Sequence, residues 1–161
     1  PSSPSGYLGR GEALMALGRY AEAARDAYAA RLLRALDPSA PARSNWLQAR
    51  VAYDQGDLET ALELGEQALE ALRQQTAFGG TTAGTGIYGW ASFYRLVMRT
   101  DMLPQLVTIR TTDQSVTWME TIAGWYEEAG DMDAARALYR QVLQIAPDAA
   151  RAAERLEAIG P

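Results

Sequence analysis

The feature that most constrains the fold is a helix–turn–helix pattern between Ala123 and Pro147, which recurs earlier in the chain. Small and apolar residues before and after the turn repeat every three or four positions, so each segment predicts an amphipathic helix. Gly130 can adopt the left-handed conformation that ends a helix, Asp131 can cap the next helix, and Pro147 stops it. Because the turn is so short, the two helices must lie antiparallel, and neither can bury its stripe alone.

Similar turns recur at Gly18 and Gly56, and Thr100–Asp101 occupies the equivalent place in a less regular third unit. The third unit follows a glycine-rich linker at residues 79–86, and its second helix is predicted to be short, with Pro104 in its first turn. We therefore predict an all-α domain over residues 6–161. It would comprise a linker at 1–5, helix pairs at about 6–38, 39–75, 85–110 and 113–147, and a capping helix at 148–159.

The units resemble the tetratricopeptide repeat, whose pattern is W-x2-L-G-x2-Y, then A-x3-F, then P. The last unit matches it with Met119, Ile122, Ala123, Tyr126, Ala135, Tyr139 and Pro147. The first unit matches it with Tyr7, Arg10, Gly11, Leu14, Ala23 and Ala27, where Arg10 replaces the usual leucine. The resemblance implies a right-handed superhelix of antiparallel helix pairs, with a degenerate third repeat, that binds other proteins.

Composition excludes several classes of function. The 20 acidic and 15 basic residues leave a net charge of −5, which argues against a nucleic-acid partner. The chain has no cysteine and no histidine, so we expect no disulfide, no metal site and no cofactor. No apolar run is long enough to span a membrane. The glycine-rich linker lacks the lysine of a phosphate-binding loop, because all 15 bases are arginine.

We expect no catalysis, and no compartment is predicted. Glu120 and Glu127 are two turns apart on one predicted helix, a spacing that a charged groove would also produce. The chain begins at Pro1 rather than methionine, so we expect a piece of a longer polypeptide. Its exclusive use of arginine favours a GC-rich genome over a preference for carboxylate and aromatic partners. The repeat resemblance implies a fragment of a larger bacterial protein.

The resemblance also implies which residues line a concave groove, at the second, fifth, ninth and twelfth positions of each repeat. In the first, second, third and fourth units these are Ser5, Leu8, Glu12 and Met15; Arg43, Trp46, Arg50 and Tyr53; Ile87, Trp90, Tyr94 and Val97; and Thr117, Glu120, Gly124 and Glu127.

Tryptophan, tyrosine and arginine supply most binding energy at protein interfaces. We therefore expect a peptide or protein segment to bind at Arg43, Trp46, Arg50, Tyr53, Trp90 and Tyr94. The arginines would bind a carboxylate and the aromatic rings an apolar anchor. Alternatively, the aromatic rings pack between repeats, and the arginines are solvated or pair with Asp54 and Asp57.

These observations predict a non-catalytic interaction or scaffold module. The alternative is a structural or oligomerisation appendage that docks the rest of its parent protein, such as a membrane protein or a glycosyltransferase, or a second copy. The docking residues would be the apolar ones of the third unit, namely Tyr88, Phe93, Leu96, Met98, Leu103, Leu106 and Val107.

Overall fold

The computed structural model describes the backbone of residues 2–78 and 103–160, and the side-chain packing of residues 2–74 and 113–160. Within these ranges every regular element is a helix, which confirms the all-α prediction. The helices are α1 (Pro4–Ala16), α2 (Tyr20–Leu32), α3 (Ala40–Asp54), α4 (Leu58–Phe78), α5 (Leu103–Ala129), α6 (Met132–Ile145) and α7 (Ala150–Ile159). The chain divides into two compact units, residues 1–108 and 109–161.

Helix α1 begins earlier than the predicted start at Gly6. Ser3 is its N-cap, because the Ser3 hydroxyl accepts a hydrogen bond from the Gly6 amide at 3.2 Å. Pro4 then occupies the first turn, where its missing N–H carries no cost. The end of the predicted linker is thus helical, and Ser5 lies within α1 rather than capping it.

Helix α2 ends at Leu32, whereas the sequence predicted a helix that continues to Pro38. Its inner face ends at Ala30, and the side chains of Leu32 and Leu36 beyond it are exposed. Without packing to hold an α-helix, the chain tightens into three-residue turns, with the amide of Leu36 donating to the carbonyl of Leu33 at 2.9 Å.

The three predicted turn glycines adopt left-handed conformations, with φ of 71° at Gly18, 81° at Gly56 and 83° at Gly130. In each turn the next residue donates its amide to the carbonyl five residues earlier, at 2.9 Å. This bond satisfies a carbonyl that the helix end leaves free. Asp57 and Asp131 then accept hydrogen bonds from the backbone N–H three residues on, at 3.1 and 3.0 Å. Both aspartates therefore cap the following helix.

In the N-terminal unit, α1, α2 and α3 pack against one another, and α4 packs against α3. The buried cluster where the first three helices meet comprises Leu8, Leu14, Met15, Ala23, Ala27, Ala30, Leu47 and Val51. Gly11 lets α1 come close, because a Cβ atom there would lie 2.6 Å from Cδ2 of Leu47. The Ser44 hydroxyl also ties α3 to α2, donating to the Ala27 carbonyl at 2.6 Å.

Helix α5 is continuous from Leu103 to Ala129. The predicted break near residue 110, with a new helix starting at Asp113 or Ser115, is absent from this described helix. Pro104 lies in the first turn as expected, and neither proline nor glycine follows it before Gly124. The intervening threonines are weak helix formers but do not stop a helix, and Thr117 donates its hydroxyl to the Asp113 carbonyl at 2.9 Å.

Helices α6 and α7 complete the C-terminal unit and pack against each other. Helix α6 ends at Ile145, two residues before Pro147, as its sequence predicts. Helix α7 buries Ala152 and exposes its outer residues, Arg151, Glu154, Arg155 and Glu157. This is the polar-backed terminal helix that a repeat protein needs, and it begins at Ala150 rather than Asp148.

Candidate partner-binding surface on α3

Helix α3 supplies four of the six predicted binding residues, and both of its ends are locally specified. Before it, the Asp37 carboxylate accepts hydrogen bonds from the Ser39 amide at 2.9 Å and from the Ser39 hydroxyl at 2.6 Å. Pro41 lies in the first turn, and Gly56 ends the helix in its left-handed conformation. These ends fix where α3 begins and stops along the chain.

Two sides of α3 are buried. One side packs into the cluster shared with α1 and α2, through Leu47 and Val51. The opposite side is also buried and consists of Ala42, Asn45, Ala49 and Ala52. Helix α4, the other neighbour of α3, buries equally small residues, Ala61, Gly65 and Ala68. Small residues on facing helices allow the backbones to approach closely, so α3 is enclosed on both sides.

A third side of α3 carries Arg43, Trp46, Arg50 and Tyr53, which we call the α3 stripe. The spacing of three, four and three residues places them along one line of the helix, and all four side chains are half-buried. Each can therefore contact a ligand while its aliphatic or aromatic part stays packed on the protein. The stripe alternates cationic and aromatic groups.

The arginines of the α3 stripe do not form the ion pairs that the alternative interpretation proposed. Arg43 donates from Nη1 to the Ser5 hydroxyl of α1 at 3.4 Å. Within the described residues Arg50 pairs with neither Asp54 nor Asp57. Asp57 instead accepts from Thr60, at 2.7 Å from its hydroxyl, which holds the pKa of Asp57 below its usual value.

The other two predicted binding residues, Trp90 and Tyr94, lie outside the described residues, as do most of the third unit and its proposed docking surface. The groove assignment is wrong for half of the first unit. Leu8 and Met15 belong to the buried core, whereas Ser5 and Glu12 are exposed. Leu8 and Met15 pack in the cluster that α1 shares with α2 and α3.

A partly buried ion pair between α1 and α2 was missed at the sequence level. Arg10 donates from Nε and Nη2 to the two carboxylate oxygens of Asp26, at 2.5 and 2.6 Å. The Asp26 side chain is 7% exposed, and the Arg10 guanidinium lowers its pKa despite this burial. Arg10 also lies 5.6 Å above the ring of Tyr7. The sequence did carry a signal for this pair, because Arg10 and Asp26 each lie on the apolar stripe of their helix.

In the C-terminal unit the predicted groove residue Glu127 has a structural role instead. Its side chain is 11% exposed, accepts a hydrogen bond from the Tyr139 hydroxyl at 2.7 Å, and is paired with Arg155 of α7. The Arg155 guanidinium is the main cause of the lowered pKa of Glu127. Burial and the Glu127 carboxylate raise the pKa of Tyr139 to about 12. This cluster joins α5, α6 and α7.

Other kinds of site find no support within the described residues. No group of three or more acidic side chains there is placed to hold a metal ion. Among the described helices, none has the length and apolar character needed to cross a bilayer. Of the carboxylates Glu120 and Glu127, which the sequence places two turns apart, Glu127 is bonded to Tyr139 and Arg155.

Family models support helical repeats at both ends of the chain. Two family models described as tetratricopeptide repeat match the chain, over residues 1–41 and 121–149. A search of curated proteins found no match. The chain is similar to one in the crystal structure of the APC/C hetero-tetramer Cut9-Hcn1, at 20% identity and a TM-score of 0.37. That match covers 99% of this chain but only 30% of the other.

Proposed function

Because this chain carries tetratricopeptide repeats, we propose that it is a non-catalytic scaffold module that binds a peptide or protein segment along the α3 stripe. One observation carries the proposal. Helix α3 is buried on two opposite sides, and on a third side it presents two arginines and two aromatic rings in one half-exposed line. These are the residue types that dominate binding energy at interfaces.

The order of side chains along the stripe specifies the ligand. Arg43 and Arg50 alternate with Trp46 and Tyr53, and the four Cα positions span roughly 15 Å along the helix. A guanidinium binds a carboxylate with two parallel hydrogen bonds, and an indole or phenol ring covers an apolar side chain. The preferred ligand therefore alternates acidic and apolar residues over about five positions of extended chain.

A peptide-display library with all 20 residues at each position tests the proposal. Wild-type protein should enrich peptides that alternate acidic and apolar residues. Fluorescence anisotropy with an enriched peptide should then show binding weakened about tenfold or more by Trp46→Ala and by Arg50→Glu. Thermal melting should change little, since both side chains lie on the surface side of α3.

Matched controls separate binding from folding. Arg140→Glu makes the same charge change on the exposed side of α6 and should leave peptide affinity unaltered. Trp46→Phe keeps an aromatic ring and should retain part of the affinity. If enriched peptides bind Arg50→Glu as tightly as wild type, the stripe is not the binding surface. This test holds even if Trp46→Ala unfolds the protein.

A further inference from the structure

A second surface of the N-terminal unit is apolar, exposed and on a different helix. Tyr28 and Leu32 are one turn apart on α2 and point away from its buried residues, Ala23, Ala27 and Ala30. Their exposed fractions are 58% and 65%, and Leu36 in the following turn is 66% exposed. Three large exposed apolar side chains within nine residues differ from the scattered exposed leucines found on any protein.

The two charged residues between Tyr28 and Leu36 are basic. Arg31 and Arg34 are exposed and form no ion pair within the described residues. We call Tyr28, Leu32, Leu36, Arg31 and Arg34 the α2 outer face. It is a cationic, apolar patch on a protein whose net charge is −5.

The acidic residues of the same segment are already engaged by other groups. Arg19 donates to both carboxylate oxygens of Glu22, at 2.7 and 2.6 Å. Arg10 likewise donates to both carboxylate oxygens of Asp26, and the Ser39 amide donates to the carboxylate of Asp37. The hydrogen bond from Arg19 is the main cause of the lowered pKa of Glu22, and the charge of Arg25 lowers it further. None of these three acids forms an ion pair with Arg31 or Arg34.

We propose that the α2 outer face docks an acidic amphipathic helix of a partner protein. Tyr28 and Leu32 span one turn of α2 and Leu36 follows in the next turn, so the apolar stripe of one short helix is enough to cover them. Carboxylates beside that stripe would meet Arg31 and Arg34, whose planar forks suit them. Three apolar side chains are fewer than the broad apolar face of a helix that lies in a lipid surface.

This surface is independent of the α3 stripe. The inner residues of α2 pack with Leu47 and Val51 of α3, so the outer face of α2 is turned away from α3. A ligand on one surface therefore leaves the other accessible, and the module would join two partners.

A matched set of hydrocarbon-stapled helical peptides, each about 15 residues long, tests the proposal. One carries leucines on one face and glutamates elsewhere. The second replaces every glutamate with lysine, and the third scrambles the first so that no apolar face forms. Anisotropy should show that only the first binds the wild-type chain. Its affinity should fall about tenfold in Leu32→Ser, and as much in Arg31→Glu combined with Arg34→Glu.

Control variants keep the outcome specific. Leu17→Ser removes an equally exposed leucine, 71% accessible, at the end of α1 and should not change binding. Trp46→Ala should also leave this affinity unchanged, which distinguishes failure here from failure at the α3 stripe.

Several outcomes would overturn the proposal. They are absence of binding by the acidic helix, equal binding of its scrambled form, and an affinity that Leu32→Ser does not alter. Leu32-dependent sedimentation with phosphatidylserine vesicles would assign the face to lipid instead. A Leu32-dependent dimer in light scattering would assign it to a second copy of the chain.

Discussion

Replacing Gly11 by alanine should destabilise the N-terminal unit, although alanine is the better helix former. A Cβ atom at position 11 would lie 2.6 Å from Cδ2 of Leu47 and 3.3 Å from the carbonyl oxygen of Ala23. Carbon atoms in contact prefer about 3.5–4.0 Å, so Leu47 would have to retreat by roughly 1 Å. Leu47 is only 2% exposed and is enclosed by core residues, so it cannot retreat into solvent.

Gly9 provides a matched control in the same helix. A Cβ atom there would meet nothing within 4 Å, so Gly9→Ala should gain up to about 1 kcal/mol from helix propensity alone. Gly11→Ala gains the same amount and loses about 1–3 kcal/mol to overpacking. The difference between the two variants isolates the packing cost. Each kcal/mol corresponds to about 2–4 °C in melting temperature for a chain of this size.

Thermal and urea unfolding followed by circular dichroism measure this difference, and hydrogen exchange of the α1–α3 amides locates it in the N-terminal unit. In a Leu47→Ala background the 2.6 Å contact is removed and only the 3.3 Å contact with the Ala23 carbonyl remains, so Gly11→Ala should be much less destabilising. If Gly11→Ala and Gly9→Ala are equally stable, or if the full penalty persists without Leu47, then the contact with Leu47 is not its cause.

The remaining predictions concern titratable groups in the two ion-pair clusters. Because Arg10 lowers the pKa of Asp26, this pair contributes stability above the ordinary carboxyl pKa of about 4. That contribution is lost as pH falls through the folded-state pKa. Wild type should therefore lose more urea stability between neutral and acid pH than Asp26→Asn does, and equal losses would contradict the pairing. Absorbance near 295 nm should reveal one phenol of pKa about 12 that Tyr139→Phe removes. Because its pKa is raised, Tyr139 contributes folding stability below pH about 10, and this stability is lost as pH rises through the folded-state pKa. An unchanged titration in Tyr139→Phe would refute the assignment.

The turns and caps were predictable because their causes are local. A left-handed residue after a helix is favourable for glycine in any context, so Gly18, Gly56 and Gly130 mark three turns without knowledge of the fold. Asp57 and Asp131 follow two of those glycines and act on amides only three residues away. No distant part of the chain is needed for either effect.

Element boundaries between the strong signals were less predictable. Helix α2 ends at Leu32, although neither glycine nor proline follows directly. Its last buried residue is Ala30. Helix α5 continues past Asp113, although the repeat pattern predicts a break. In both cases helix propensity favours neither outcome by much, so local sequence signals alone do not fix the boundary.

The sequence by itself determined the helix-pair architecture, since hydrophobic periodicity, turn glycines and caps agree throughout the units that match the repeat pattern. It also placed Arg43, Trp46, Arg50 and Tyr53 on one side of a single helix, which spacing alone establishes.

The tertiary structure decided which predicted groove residues remain accessible. Leu8 is buried and Glu127 is tied to Arg155 and Tyr139, whereas the outer face of α2 is exposed. The physical reason is that helix periodicity defines a face but not what covers it. Coverage depends on how closely two helices approach, and at Gly11 that distance depends on a side chain 36 residues away, Leu47.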